Sequence, residues 1–107
     1  MVELSGAQNT KAVSYKDGLL KRLSDPEYAA GYLTECLEQG EAEFLLALRD
    51  VVEAHGGVGQ LAKVAKLNRE SLYKLLSKDG NPRLSSLASI LGGLGMELQF
   101  VPKAEAA

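Results

Sequence analysis

Gln60-Leu61-Ala62-Lys63-Val64-Ala65-Lys66-Leu67-Asn68-Arg69-Glu70-Ser71-Leu72-Tyr73-Lys74-Leu75-Leu76-Ser77-Lys78-Asp79-Gly80-Asn81-Pro82-Arg83 is the stretch that decides the fold. Leu61, Ala62 and Ala65 form one apolar stripe at helical spacing, and Leu72, Leu75 and Leu76 form a second, with Leu67 between them. Two short helices joined by a tight turn and packed on each other follow from that spacing. Asn68 stands where a helix N-cap belongs, because its side-chain oxygen can accept a backbone N–H of the first turn, so the second helix begins at Arg69. Arg69, Glu70, Ser71, Tyr73 and Lys74 fill the positions the core does not use. A helical hairpin with a solvated, mostly basic face is the plainer reading of the same periodicity. Cap, turn and charge together favour a helix whose first turn points outward, as a major-groove reader does.

The charges support that choice once they are mapped along the chain. The formal net charge is −2, yet residues 1–23, 24–57, 58–83 and 84–107 carry balances of +2, −7, +4 and −1. The positive block is the proposed reader. Most non-specific affinity for DNA comes from phosphates, so Gln60, Lys63, Lys66, Asn68, Lys78, Asn81 and Arg83 are the candidate phosphate contacts. Arg69, Glu70, Ser71, Tyr73 and Lys74 are the candidate base contacts. The acidic block has two readings of similar weight, a solvated face that aids solubility and a docking surface for a basic partner.

Gln60-Leu61-Ala62, Leu67-Asn68-Arg69-Glu70-Ser71-Leu72-Tyr73 and Gly80-Asn81-Pro82 resemble the lambda-repressor-like, XRE-type helix-turn-helix. Within that superfamily the chain is similar to the HigA-like antidote proteins of bacterial addiction modules. Asp25-Pro26-Glu27-Tyr28, Tyr32-Leu33, Leu37-Glu38-Gln39-Gly40, Ala47-Leu48-Arg49-Asp50-Val51 and Leu94-Gly95-Met96-Glu97-Leu98 carry the likeness outside the reader, so it spans roughly residues 17–101. Two positions depart from the pattern. Gly59 stands where many relatives place a Thr cap before Gln60, and Lys66 holds the turn position often occupied by Gly. Both loosen the turn without abolishing it.

The resemblance implies a repressor that binds operator DNA as a homodimer and neutralises a RelE/HigB-like toxin, with a stand-alone, prophage-type regulator as the alternative. Tyr28, Tyr32, Glu35, Glu38 and Glu41 are the toxin-binding candidates, placed on the acidic block.

The remaining segments supply the frame. Ser24 and Glu27 form a capping box with Pro26 in the first turn, so a helix is expected from about Asp25 to Glu38, ending at Gly40. Its apolar face is Tyr28, Tyr32, Leu33, Cys36 and Leu37. A further helix from about Ala42 to His55 buries Phe44, Leu45, Leu48, Val51 and Val52, and Gly56-Gly57 stops it. Leu84, Leu87, Ile90, Leu91 and Leu94 repeat at helical spacing until the glycines at 92, 93 and 95. Met96 to Val101 alternates apolar and polar, which predicts one short strand. A lone strand needs a partner, either an early segment of the same chain or its copy in a second subunit. Leu94, Met96, Leu98 and Phe100 are accordingly the dimer-interface candidates.

The expected fold class is therefore all-α in the main, a lambda-repressor-like helix-turn-helix bundle of about five helices with a short C-terminal β-strand. Residues 1–14 read as a flexible tail and 102–107 as a second tail. Between them lies one domain, with N-terminal helices in 15–57, the reader in 58–83 and a helix and strand in 84–101. No apolar run approaches the roughly 20 residues of a membrane span, and the first ten residues lack a signal-peptide core, so a cytoplasmic protein is expected.

Cys36 is the only cysteine and His55 the only histidine. A single cysteine excludes an internal disulfide, and nothing in the spacing brings the two together as nucleophile and base. Gly92-Gly93-Leu94-Gly95 lacks the preceding strand that a phosphate-cradling loop requires. No enzyme, cofactor or metal is expected.

Overall fold

The computed structural model describes residues 15–104, and within them the regular structure is helical, with no β-strand. Six helices follow one another: α1 over residues 15–23, α2 Pro26–Gln39, α3 Glu41–Ala54, α4 Gly57–Ala65, α5 Arg69–Leu75 and α6 Leu84–Gly93. None of them is long and apolar enough to cross a membrane. The expected tail at 1–14 lies outside the described residues, as do the last three residues of the expected tail at 102–107.

Helix α1 was not expected from the periodicity, and it contributes Leu19 and Leu23 to the core. Helix α2 starts one residue later than a cap at Ser24 would require. Asp25 is the N-cap, its carboxylate accepting the Glu27 N–H at 3.1 Å, while the Ser24 hydroxyl turns back to donate to the Lys21 carbonyl. Pro26 decides between the two adjacent cap formers, since proline favours the first helical position and leaves the cap to the residue before it. The face of α2 is also rotated from the expected one. Ala29 and Leu33 are buried, Tyr32 and Cys36 are half-buried, and Tyr28 and Leu37 are exposed.

Gly40 alone joins α2 to α3, and the two helices make the most extensive pairing among α2 to α6. Ala47, Leu48, Val51 and Val52 of α3 are buried, with Phe44 half-buried beside them. At the end of α3, Gly56 adopts a left-handed conformation and turns the chain directly into α4. Helix α4 therefore begins at Gly57, so Gly59 lies inside its first turn and is not its cap. Two glycines among its first three residues, Gly57 and Gly59, hide that start in the sequence, and Val58 packed against the core supplies the tertiary reason for it.

His55 has a role that periodicity does not reveal. Its Nε2 donates to the Leu23 carbonyl at 3.0 Å, tying the end of α3 to the end of α1 across 32 residues. Helix α6 closes the core with Ile90 and Leu91, followed by buried Leu94. Gly93 is needed for packing, because a Cβ there would come within 2.7 Å of a Leu61 methyl on α4. Beyond Leu94 the expected strand is absent: residues 96–103 have no regular secondary structure, and no partner strand exists among the described residues.

Candidate nucleic-acid interface

Helices α4 and α5 are held at a fixed angle by a three-residue connection. Lys66 sits in the left-handed region (φ 57°, ψ 43°), with its N–H and that of Leu67 bonded to the Ala62 carbonyl. A side chain in this conformation costs about 1–2 kcal/mol, which glycine would avoid. Asn68 then caps α5, its Oδ1 accepting the Ser71 N–H at 3.1 Å. Leu72 and Leu76 face inward and are buried, with Leu61 of α4 buried against the same core. That orientation leaves Arg69, Glu70, Ser71, Tyr73 and Lys74 all exposed on the outer face of α5.

Two open clefts flank α5. The first, about 520 Å³, is lined by Gly56, Gly59 and Gln60 at the start of α4, by Ala62 and Lys63, and by Leu67 and Arg69 across from them. The second, about 360 Å³, is lined by Ser71, Lys74 and Leu75 of α5 and by Asn81, Arg83 and Ser86 at the start of α6. Each cleft combines two cations with the first turn of a helix that has no side-chain cap, α4 in one and α6 in the other. Uncapped first-turn N–H groups, the positive end of the helix dipole and a cation beside them together suit a phosphate, Lys63 in the first cleft and Arg83 in the second.

The loop between α5 and α6 builds the second cleft. The Ser77 hydroxyl donates to the Lys74 carbonyl at 2.7 Å, and the Gly80 N–H donates to the Ser77 carbonyl at 2.9 Å. Gly80 must be glycine, because a Cβ there would be driven into the Leu75 carbonyl. This tight return brings Asn81 and Arg83 beside Lys74.

Of the residues expected from sequence, Gln60, Lys63 and Arg69 meet in the first cleft, and Ser71, Lys74, Asn81 and Arg83 in the second. Ser86 joins them unannounced; only its place in the first turn of α6 could have signalled it. Lys66 and Asn68 lie at the turn, the latter with its oxygen already used as a cap, and Lys78 lines neither cleft. The Arg69 guanidinium lies 5.9 Å from the centroid of the Tyr73 ring and close to Gly59, where a Cβ would touch it at 3.9 Å. Tyr73 thus restricts Arg69 to the start of α5 by a cation–π contact.

The other expected sites are distributed differently. Glu35, Glu38 and Glu41 are exposed along α2 and the start of α3. Tyr28 is engaged by Arg22, whose Nε donates to the phenol oxygen at 3.1 Å and whose guanidinium lies 5.7 Å from the ring centroid. Tyr32 is half-buried; its phenol is pushed up first by burial and then by the nearby Asp50 charge. Leu94 is only 2% exposed and serves the core, so it offers no surface to a second subunit. Met96 packs half-buried against the same core, whereas Leu98 and Phe100 are exposed.

Cys36 and His55 do not form a reactive pair. Burial, then the charges of Glu35, Asp50 and Glu43, push the Cys36 thiol up and away from thiolate, and His55 is committed to Leu23. Among the described residues no three His, Cys, Asp or Glu side chains are grouped to hold a metal ion.

A family model described as "probable addiction module antidote protein" matches residues 16–102, most of the chain. The chain belongs to that family. A relative from Haemophilus influenzae, which carries only the description "uncharacterized protein", is 34% identical over 80 residues, covering 74% of this chain and 81% of its own length. No solved structure matches. The family match spans all six helices except the first residue of α1, so both clefts of this antidote-family protein lie within it.

Proposed function

We propose that this antidote-family protein is a sequence-specific DNA-binding repressor and the antitoxin of a type II addiction module. In this reading α4 and α5 are a lambda-repressor-like, XRE-type helix-turn-helix of the HigA kind. It acts as a homodimer that represses its own operon and neutralises a RelE/HigB-like toxin. The observation that carries the DNA half is the pair of cation-bearing clefts on either side of α5. Phosphates seated in both would straddle α5 and aim its exposed first turn at base edges. Lys63, with Gln60, holds one phosphate, and Arg83, with Asn81, holds the other. Lys66, Lys78 and Asn68 add backbone contacts at the periphery. Arg69, preorganised by Tyr73, reads a guanine, while Glu70, Ser71, Tyr73 and Lys74 complete the base contacts.

Family membership and the acidic surface support the antitoxin half. The −7 balance of residues 24–57 complements a basic, RNA-cleaving partner, and Glu35, Glu38 and Glu41 are exposed to meet it. Tyr28, held by Arg22, and the rim of Tyr32 supply apolar contact.

A fluorescence-anisotropy titration tests the DNA half, using the duplex upstream of the protein's own reading frame against a scrambled duplex over a salt series. The operator is expected to bind with preference, and Lys63→Ala or Arg83→Ala should weaken both duplexes alike and reduce the salt slope by about 1. Equal binding of operator and scrambled duplex would overturn the reading.

A further inference from the structure

Residues 97–103, Glu-Leu-Gln-Phe-Val-Pro-Lys, follow Met96, the last of the described residues packed against the core, and form no regular element. Met96 donates its N–H to the Leu91 carbonyl at 2.8 Å; after it, residues 97–103 make no backbone–backbone hydrogen bond among the described residues. The segment is nevertheless patterned as a strand. The Gln99 amide donates to the Glu97 carboxylate at 2.6 Å, which places these two side chains on one side. Leu98 and Phe100 alternate with them and are exposed, Phe100 to 94%. A row of open backbone groups beside an exposed apolar face is an edge that invites pairing.

We infer that this segment pairs antiparallel with the same segment of a second copy of the chain, in the register centred on Phe100. The inference rests on the proposed homodimer and names the surface that makes it. Charge and proline together choose the partner and the register. Centred on Phe100, Glu97 lies opposite the second copy's Lys103 at both ends of the ribbon, Gln99 opposite Val101, and Leu98 opposite Pro102. Opposite charges facing across strands are favourable and like charges are not. Shifting the centre to Gln99 would instead set Glu97 against Val101 and leave Lys103 without a carboxylate. The chosen register also accommodates Pro102, which has no N–H to give. Positions 98, 100 and 102 then fall in non-hydrogen-bonded pairs, and 97, 99, 101 and 103 carry the ladder. Leu98, Phe100 and Pro102 from both copies share one face, with the two Phe100 rings at its centre. Glu97, Gln99, Val101 and Lys103 share the other.

Sedimentation equilibrium of the full chain, with a Cys36→Ala background for the cross-linking arm, tests this. The native protein is expected to be a dimer. Gln99→Pro, which removes the ladder bonds at a position with no core contact, should give a monomer with unchanged helical circular dichroism. Phe100→Cys should oxidise to a symmetric disulfide-linked dimer faster than Leu98→Cys, whose opposite residue is Pro102. Glu97→Lys or Lys103→Glu alone should weaken association by about tenfold, two pairs being reversed at once, and the double reversal should restore it. A native monomer, a dimer that survives Gln99→Pro, or equal cross-linking at 98 and 100 would overturn the inference. So would a native dimer lost when residues 1–14 are deleted but kept in Gln99→Pro. A dimer that behaves as described yet shows no operator preference would leave this inference standing and remove the DNA reading instead.

Discussion

Helices α2 and α3 run 14 residues each and are joined by one residue, whereas α4 and α5 run nine and seven and are joined through a left-handed lysine. The long pair carries seven acidic residues against one basic one, and the short pair with its turn and the loop after it carries six basic residues against two acidic ones. Isolated helices shorter than about 12–15 residues are marginal in water, so the short pair depends on surfaces provided by α3 and α6. Gly93 shows how close that support comes, since α6 approaches Leu61 with no room for a methyl group. One region thus supplies a scaffold and the other spends its outer face on exposed polar groups that no core contact requires. Charge segregation follows the same division.

The largest expected effects would show whether these are two regions of one cooperative unit. Leu48 of α3 and Leu72 of α5 are both fully buried in a common core. Leu48→Ala and Leu72→Ala should each cost about 2–5 kcal/mol and lower a single thermal transition. Two separate transitions in calorimetry, with Leu72→Ala affecting only one, would break the account of a shared core. Asn68→Ala is expected to cost about 1 kcal/mol by freeing the first turn of α5, and to weaken operator binding with it. Chemical denaturation and anisotropy on the same variant check both parts.

Lys66→Gly separates strain from charge. Relief of the left-handed lysine should stabilise the fold by about 0.5–1 kcal/mol, after the extra chain entropy of glycine is set against it, while DNA affinity falls by one phosphate contact. Loss of stability in that variant would show the turn to be unstrained. Asp50 gives the smallest effect and belongs to the scaffold. Burial pushes its carboxyl up from the ordinary 3.8; Lys16, at 3.9 Å, opposes the rise, Glu53 adds to it and Arg49 opposes it. The folded chain therefore holds a proton at Asp50 more readily than the unfolded chain, and stability from this site rises as the pH falls from above the raised value toward 3.8. Asp50→Asn should be slightly stabilising at neutral pH, with the gain disappearing across that acidic window in melts recorded from pH 7 to pH 3.5.

Much of this arrangement was legible because its signals are local. The bounds of α2 and α3 fell within a residue or two of the periodic pattern, and the Asn68 cap stood where its spacing put it. Elements that depend on tertiary support were not. Helix α1 shows only Tyr15, Leu19, Leu20 and Leu23 as apolar or aromatic positions in the described residues, too short a pattern to declare a helix, and α4 opens on glycines that propensity alone would leave in a loop. The inner face of α2 was misjudged because Ala29, small but fully buried, signals less than exposed Tyr28. Residues 96–101 alternate as a strand does, yet a strand is a property of two segments, and the described chain supplies one. For the candidate interface, the basic residues were legible from charge, whereas their sorting into two clefts depends on the approach of α6 and on the close return at Gly80, neither of which periodicity encodes.

The central claim, that α5 reads bases from between two phosphate-holding clefts, is tested most directly by the operator preference of Arg69→Ala. Anisotropy titrations of the native protein and this variant against the operator and against duplexes altered one base pair at a time should show a loss of about 1–3 kcal/mol on the operator and a relaxed preference at one position in each half-site. Unchanged operator affinity and preference in Arg69→Ala would contradict it.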